Sequence, residues 1–115
     1  MSNTPEIDAT EAAARTEAGQ ALLLDVREDD EWTAGHAPGA QHVRLGDLQR
    51  AHDEGEIPND RPIVAVCRAG GRSEKATIAL NQAGYDVTNL VGGMQAWAAA
   101  GHPVVTDDGS QGNVV

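Results

Sequence analysis

Short apolar runs alternate along this chain with longer segments of mixed polarity. Residues 21–25, Ala-Leu-Leu-Leu-Asp, form an apolar run closed by an acid, and residues 63–66, Ile-Val-Ala-Val, form a second. Runs of this length, apolar at successive positions, predict buried strands covered on both faces. Briefer strands are predicted over 41–43 and 86–90. Helical signals fill the intervals. Asp8 followed by Glu11 has capping-box spacing, with Asp in place of the usual Ser or Thr, and opens a helix over 9–18 that Gly19 stops. Further helices are predicted over 29–34, 45–51, 73–83 and 94–100, with Gly35, Gly84 and Gly101 marking three of their ends. Residues 53–62 carry two prolines and a glycine and read as a loop, as do residues 68–71 with their paired glycines. Met1 to Thr4 read as a frayed start. From Thr106 the chain is built largely of Asp, Gly, Ser, Gln and Asn, which predicts a mobile tail.

Strands that alternate with helices at this spacing predict a parallel sheet with helices on both faces. The expectation is an α/β protein, a three-layer α/β/α sandwich with a mostly parallel central sheet of about five strands. One domain over 5–105 and a disordered tail over 106–115 account for the chain. Its 115 residues are close to the commonest domain size, which argues against a second core. In open parallel sheets the ligand site lies at the carboxyl ends of the strands. Asp25 and Cys67 both fall at such ends.

Composition sharpens this picture in two ways. Large aliphatic residues are sparse and aromatic residues make up 3% of the chain, while alanine occurs nineteen times. The core is therefore expected to be alanine-rich with little aromatic filling, Trp32, Tyr85 and Trp97 packing against it. Eighteen acids against eight bases give a net charge of −10, a field that repels DNA, RNA and anionic lipid, so neither a nucleic acid nor a membrane is an expected partner. No run approaches the ~20 apolar residues of a membrane span. The first twenty residues have neither a basic nor an apolar segment of the kind that opens a secretory signal. One cysteine excludes an internal disulfide, a CxxC redox pair and a cysteine-rich metal site. The remaining histidines, His42, His52 and His102, share no ligand spacing, so no metal and no cofactor are expected. A cytoplasmic, reducing setting fits these features.

The chemistry points to the segment Val66-Cys67-Arg68-Ala69-Gly70-Gly71-Arg72-Ser73. A cysteine after a buried strand, then a glycine-containing loop, then a helix, makes an anion cradle. Successive backbone N–H groups can turn inward, glycine lets the backbone curl, and the helix start adds positive potential. Each effect favours thiolate over thiol. Three of the eight bases, Arg68, Arg72 and Lys75, fall within residues 67–75 against one acid, Glu74, which suits an anionic substrate. A buried structural cysteine among solvated arginines is the alternative.

These residues also resemble the active-site loop of the rhodanese family, a CxxGxR pattern. Asp25-Val-Arg-Glu28, Glu31-Trp32 and Gly35-His-Ala-Pro-Gly-Ala40 resemble its N-terminal signature, and Leu90-Val-Gly-Gly-Met-Gln-Ala-Trp97 its C-terminal one. The likeness spans about residues 7–105. It implies a single-domain sulfurtransferase of the thiosulfate type. Cys67 would attack the outer sulfur of thiosulfate or a similar donor and become a persulfide, and cyanide or a thiol would then take the sulfur in a second half-reaction. By position, Cys67 is the nucleophile, and Arg68, Ala69, Gly70, Gly71, Arg72 and Ser73 bind the substrate. The N–H groups of 68–72 hold the persulfide, and the side chains of Arg68 and Arg72 attract the donor's sulfonate oxygens. With no second cysteine, the sulfur must leave to an external acceptor, a small thiol or a sulfur-accepting protein. Monomer and dimer are both open.

Asp25, Arg27 and His36 are candidates to support the loop from behind. A structural ion pair explains Asp25 and Arg27 as readily as a substrate role does, and a hydrogen-bonded turn explains His36. The acidic run Glu28 to Glu31 reads as favourable charge at a helix start, and Gly92-Gly93, without a phosphate-binding motif around it, as a turn. Three rivals stand beside sulfur transfer. A phosphatase or arsenate reductase of the same fold carries five residues between Cys and Arg, where this chain has four. The others are a persulfide carrier for a partner protein and an interaction module without chemistry.

Overall fold

The structure is a computed structural model and describes residues 4–115; the frayed start expected over Met1 to Thr4 falls outside them except for Thr4. Five strands, β1 (Glu6–Ile7), β2 (Leu22–Asp25), β3 (Gln41–His42), β4 (Ile63–Val66) and β5 (Val87–Leu90), form one sheet in the order β1-β5-β4-β2-β3. Every pairing is parallel. Four helices connect them and a fifth follows β5: α1 (Ala9–Glu17), α2 (Asp29–Ala34), α3 (Leu48–Asp53, entered through a 3-10 turn at Leu45–Asp47), α4 (Gly71–Gln82) and last α5 (Gly93–Ala99).

Strand alternation decides which residues meet which helices. Leu24, Ile63, Ala65 and Val87 face one way and pack with Leu48 and Ala51 of α3 and with Ala76 and Leu80 of α4. Leu23, Val64, Val66 and Leu90 face the other way and pack with Ala9, Ala12 and Ala13 of α1 and with Met94 and Trp97 of α5. The result is the expected three-layer sandwich. Small alanines on α1 let that helix lie close to the sheet, and Trp97 fills the space beside them, its Nε1–H donating to the Pro103 carbonyl at 2.7 Å.

The helix starts follow local chemistry. Asp8 caps α1 by accepting from the Glu11 N–H at 2.8 Å. Glu28 and Glu31 close a reciprocal capping box at the start of α2. Helix α4 begins at Gly71, two residues earlier than the pattern predicts, because Gly70 takes a left-handed conformation (φ +119°) that turns the chain directly into the helix. Strand β1 has no sequence signal: it is two residues long with one apolar side chain, and its pairing with β5 supplies the order.

The tail needs a correction. Where composition predicts a mobile segment from Thr106, the structure folds the chain back on itself. Val105 bridges His36 and Gln111 in antiparallel fashion, the Gly112 N–H donates to the Val104 carbonyl at 2.8 Å, and the Asn113 N–H donates to the Ala34 carbonyl at 2.9 Å. The Asp108 carboxylate ties the turn by accepting from the Ser110 N–H at 2.9 Å. Two glycines permit the approach: a Cβ at Gly112 would lie 2.7 Å from the Gly35 Cα, and one at Gly35 2.6 Å from the Asn113 nitrogen. Backbone pairing, which a polar composition does not reveal, holds this segment.

Candidate active site

Cys67 follows β4 at the carboxyl end of the sheet and is 1% exposed. Its main chain is pinned from the side. The first turn of α5 donates the Met94 N–H to the Cys67 carbonyl at 2.8 Å and the Gln95 N–H to the Arg68 carbonyl at 3.0 Å. The approach requires glycine. At Gly93 (φ +58°) a Cβ would fall onto the carbonyl oxygens of Cys67 and Arg68. The turn read at Gly92-Gly93 is thus also the seat of the cysteine loop.

From this seat the loop curls over the sulfur. The Gly70 N–H donates to Cys67 Sγ at 3.1 Å, and the Ser73 hydroxyl lies 3.3 Å from the same atom. Burial pushes the Cys67 thiol up, but the Ser73 hydroxyl and the N–H groups of Ser73, Gly70 and Ala69 outweigh it and hold the pKa below the ordinary thiol value. The donors that face the sulfur come from positions 69, 70 and 73, where the sequence pattern expects N–H groups from 68–72.

The two arginines of the loop part company. Arg72 points to α2, where its guanidinium makes a bidentate pair with Glu31 at 2.6 and 2.8 Å. The hydrogen-bonded pair draws the Glu31 carboxyl down to about 2 and pushes Arg72 further up. Arg68 is exposed and makes no ion pair or side-chain hydrogen bond among the described residues. Lys75, also exposed, is likewise unpaired among them.

Asp25 and Arg27 form a fully buried ion pair, 2.7 Å between Arg27 Nη2 and Asp25 Oδ2. Arg27 also donates to the Gly35 carbonyl at 2.8 Å and to the Glu31 carbonyl at 3.3 Å. The pair thereby fixes α2, and α2 presents Glu31 to Arg72. His36 stands apart from the loop. Its Nδ1 bonds the Trp32 carbonyl at 2.9 Å, and its ring stacks on Trp32 at 3.7 Å, with His42 stacked at 4.8 Å.

Two participants escape the sequence reading. Glu31 looks like one member of an acidic helix start, and nothing local announces a partner 41 residues on. Asn89 of β5 is 3% exposed. It accepts from the Ser73 hydroxyl at 2.6 Å and donates to the Gly70 carbonyl at 3.1 Å. A signal was available for Asn89: two residues along a short strand from Val87, it shares that residue's inward face. Two cavities, of about 590 Å³ beside the C-terminal hairpin and about 310 Å³ near Trp97 and Arg61, do not include the cysteine loop. The sulfur sits in a tight cradle where the donors converge.

The family model of the Rhodanese-like domain matches residues 8–100. The chain is 38% identical over 106 residues to a sulfurtransferase of Allochromatium vinosum, covering 90% of this chain and 97% of that protein. It is 39% identical over 106 residues to an HTH-type transcriptional regulator of Mycobacterium tuberculosis, covering 90% of this chain and 45% of that one. Among solved structures, a thiosulfate sulfurtransferase from Pseudomonas aeruginosa superposes with a TM-score of 0.79 at 26% identity, over 97% of this chain and 22% of that one.

Proposed function

This chain belongs to the rhodanese-like domain family, and from that premise we propose that it is a sulfurtransferase that moves a sulfane sulfur from thiosulfate to a thiophilic acceptor through a persulfide on Cys67. The observation that carries the reading is the convergence of N–H and O–H donors on one buried Sγ. Such a site stabilises an anionic sulfur without a base beside it. The sulfurtransferase name of the Allochromatium vinosum relative supports the general activity, and the thiosulfate sulfurtransferase structure supports thiosulfate as the donor.

In the first half-reaction the Cys67 thiolate attacks the outer sulfur of thiosulfate. The sulfur–sulfur bond of the donor breaks, and sulfite departs with the electron pair. In the second, cyanide or a thiolate attacks the outer sulfur of the persulfide and Sγ departs as thiolate. Arg68, exposed and unpaired among the described residues, is the side chain that attracts the sulfonate oxygens. Arg72, held by Glu31, anchors the start of α4 and adds positive potential near the sulfur.

Intact-mass measurement after incubation with thiosulfate tests the reading. The expected result is a gain of one sulfur atom, lost on adding cyanide and absent in Cys67→Ala. A folded protein with a free thiol that gains no sulfur from thiosulfate or from a glutathione persulfide refutes it. A second reading has support from the relative in which the matching stretch is under half of a transcriptional regulator: a persulfide carrier or regulatory module serving a partner protein. Rapid loading with slow transfer to cyanide favours the carrier.

A further inference from the structure

We propose that Asn89 is a positioning residue that governs the Cys67 sulfur through the single proton of the Ser73 hydroxyl. Ser73 is fully buried, and its oxygen lies near three acceptors: Asn89 Oδ1 at 2.6 Å, Cys67 Sγ at 3.3 Å and the Gly70 carbonyl at 3.3 Å. One hydroxyl has one proton to donate. The three contacts cannot all be donations from Ser73, so a choice among them is built into the site.

The amide orientation of Asn89 settles what competes with the sulfur. Its Nδ2 faces the Gly70 carbonyl at 3.1 Å, and a carbonyl can only accept. Turning the amide over would set its oxygen against that carbonyl. The oxygen is therefore committed to the Ser73 side, where it accepts the hydroxyl proton. While Cys67 is a neutral thiol, its S–H can donate to the Ser73 oxygen and the hydroxyl stays on Asn89. When Sγ becomes an anion, the hydroxyl rotates and donates to the sulfur, and Asn89 gives up a partner in a dry site. Asn89 thus draws the proton away from Sγ in the neutral state and yields it as charge builds there. A buried oxygen left without its donor is costly, so Asn89 raises the free energy of the thiolate relative to a site that lacks this acceptor.

The same rotation bears on sulfur release, a consequence that rests on the sulfurtransferase reading. When an acceptor's lone pair bonds to the outer sulfur of the persulfide, the Sγ–S bond breaks and its electron pair stays on Sγ. The hydroxyl held by Asn89 is 3.3 Å from Sγ and can turn to that charge, beside the Gly70 N–H that already donates there at 3.1 Å. The proposal itself concerns the thiolate and can be tested without sulfur transfer.

The test is the pH dependence of Cys67 alkylation by iodoacetamide in the full chain, with thermal unfolding recorded for each variant. Ser73→Ala is expected to raise the midpoint by about one pH unit, with about tenfold less thiolate well below it. Asn89→Leu removes the competing acceptor and is expected to lower the midpoint. The double variant decides between a relay and a structural role: it is expected to match Ser73→Ala alone, because Asn89 acts through the hydroxyl. If Asn89→Leu moves the midpoint equally with and without Ser73, or raises it, Asn89 works through loop geometry and the proposal fails. Failure to load sulfur from either thiosulfate or a glutathione persulfide, with these midpoints as expected, overturns the sulfurtransferase reading and leaves the proton relay standing.

Discussion

At Cys67 the balance between burial and hydrogen bonding is visible in a single group. Burial of a thiol 1% exposed pushes its pKa up, and the donors from Ser73, Gly70 and Ala69 bring it below the ordinary thiol value. The arginines flanking the loop divide the remaining work, and the division is measurable. Arg68→Gln is expected to raise the KM for thiosulfate severalfold while leaving kcat near the starting value, since it removes attraction common to ground and transition states. Glu31→Gln is expected to cost about 1.5–3 kcal/mol at neutral pH by removing a charge-assisted pair. Its pH signature has a definite sign. The Glu31 carboxyl is lowered from 4.5 to about 2 on folding, so its contribution is complete above about 4.5 and drains away as pH falls towards 2. Urea unfolding should separate the two proteins at pH 7 and bring them together near pH 2.

Among the elements, the helices that bracket the loop are held to it by different means. Helix α5 is fastened through the backbone, and Gly93 is the condition for that contact. Gly93→Ala is expected to destabilise the protein by well over the ~1–3 kcal/mol that a left-handed non-glycine residue alone costs, because its Cβ would collide with the loop's own carbonyls. Alkylation of Cys67 should lose its low-pH reactivity in any fraction that still folds. Helix α2 is fastened through side chains, by way of the buried Asp25–Arg27 pair and the bonds of Arg27 to Gly35 and Glu31. Arg27→Met leaves Asp25 charged and buried without its partner, and should lower stability by about 3–5 kcal/mol, read as the midpoint of denaturant unfolding.

For the molecule as a whole, the sheet order β1-β5-β4-β2-β3 places β4 at the centre, so Cys67 emerges from its most enclosed strand. The C-terminal residues close the structure at one side. Their contacts run through Gly35 and Gly112, where backbones come too close for a side chain. Gly112→Ala should lower the thermal midpoint by a few degrees, as a loss of about 1 kcal/mol does in a domain of roughly this size, without moving the midpoint of Cys67 alkylation. A shift in the alkylation profile would tie this hairpin to the cysteine loop.

The fold class and the candidate cysteine were legible in the amino-acid order because both are local matters. An apolar run such as 63–66 demands burial wherever it goes, and a cysteine before Arg-Ala-Gly-Gly-Arg-Ser carries its cradle in the next six residues. Strand alternation with helices then limits the sheet to a parallel one. The partners of those residues were not legible, because they come from distant parts of the chain. Glu31 meets Arg72 across 41 residues and Asn89 meets Ser73 across 16, and no pattern in either segment names the other. The two-residue strand β1 and the folded tail lie beyond local reading for the same reason: their order comes from backbone hydrogen bonds to β5 and to Ala34, Val104 and His36. Hydrophobic period and loop chemistry chose the architecture and the place of the cysteine. Which carboxylate holds Arg72 and which amide holds Ser73 was decided when the sheet assembled and brought them within hydrogen-bonding distance.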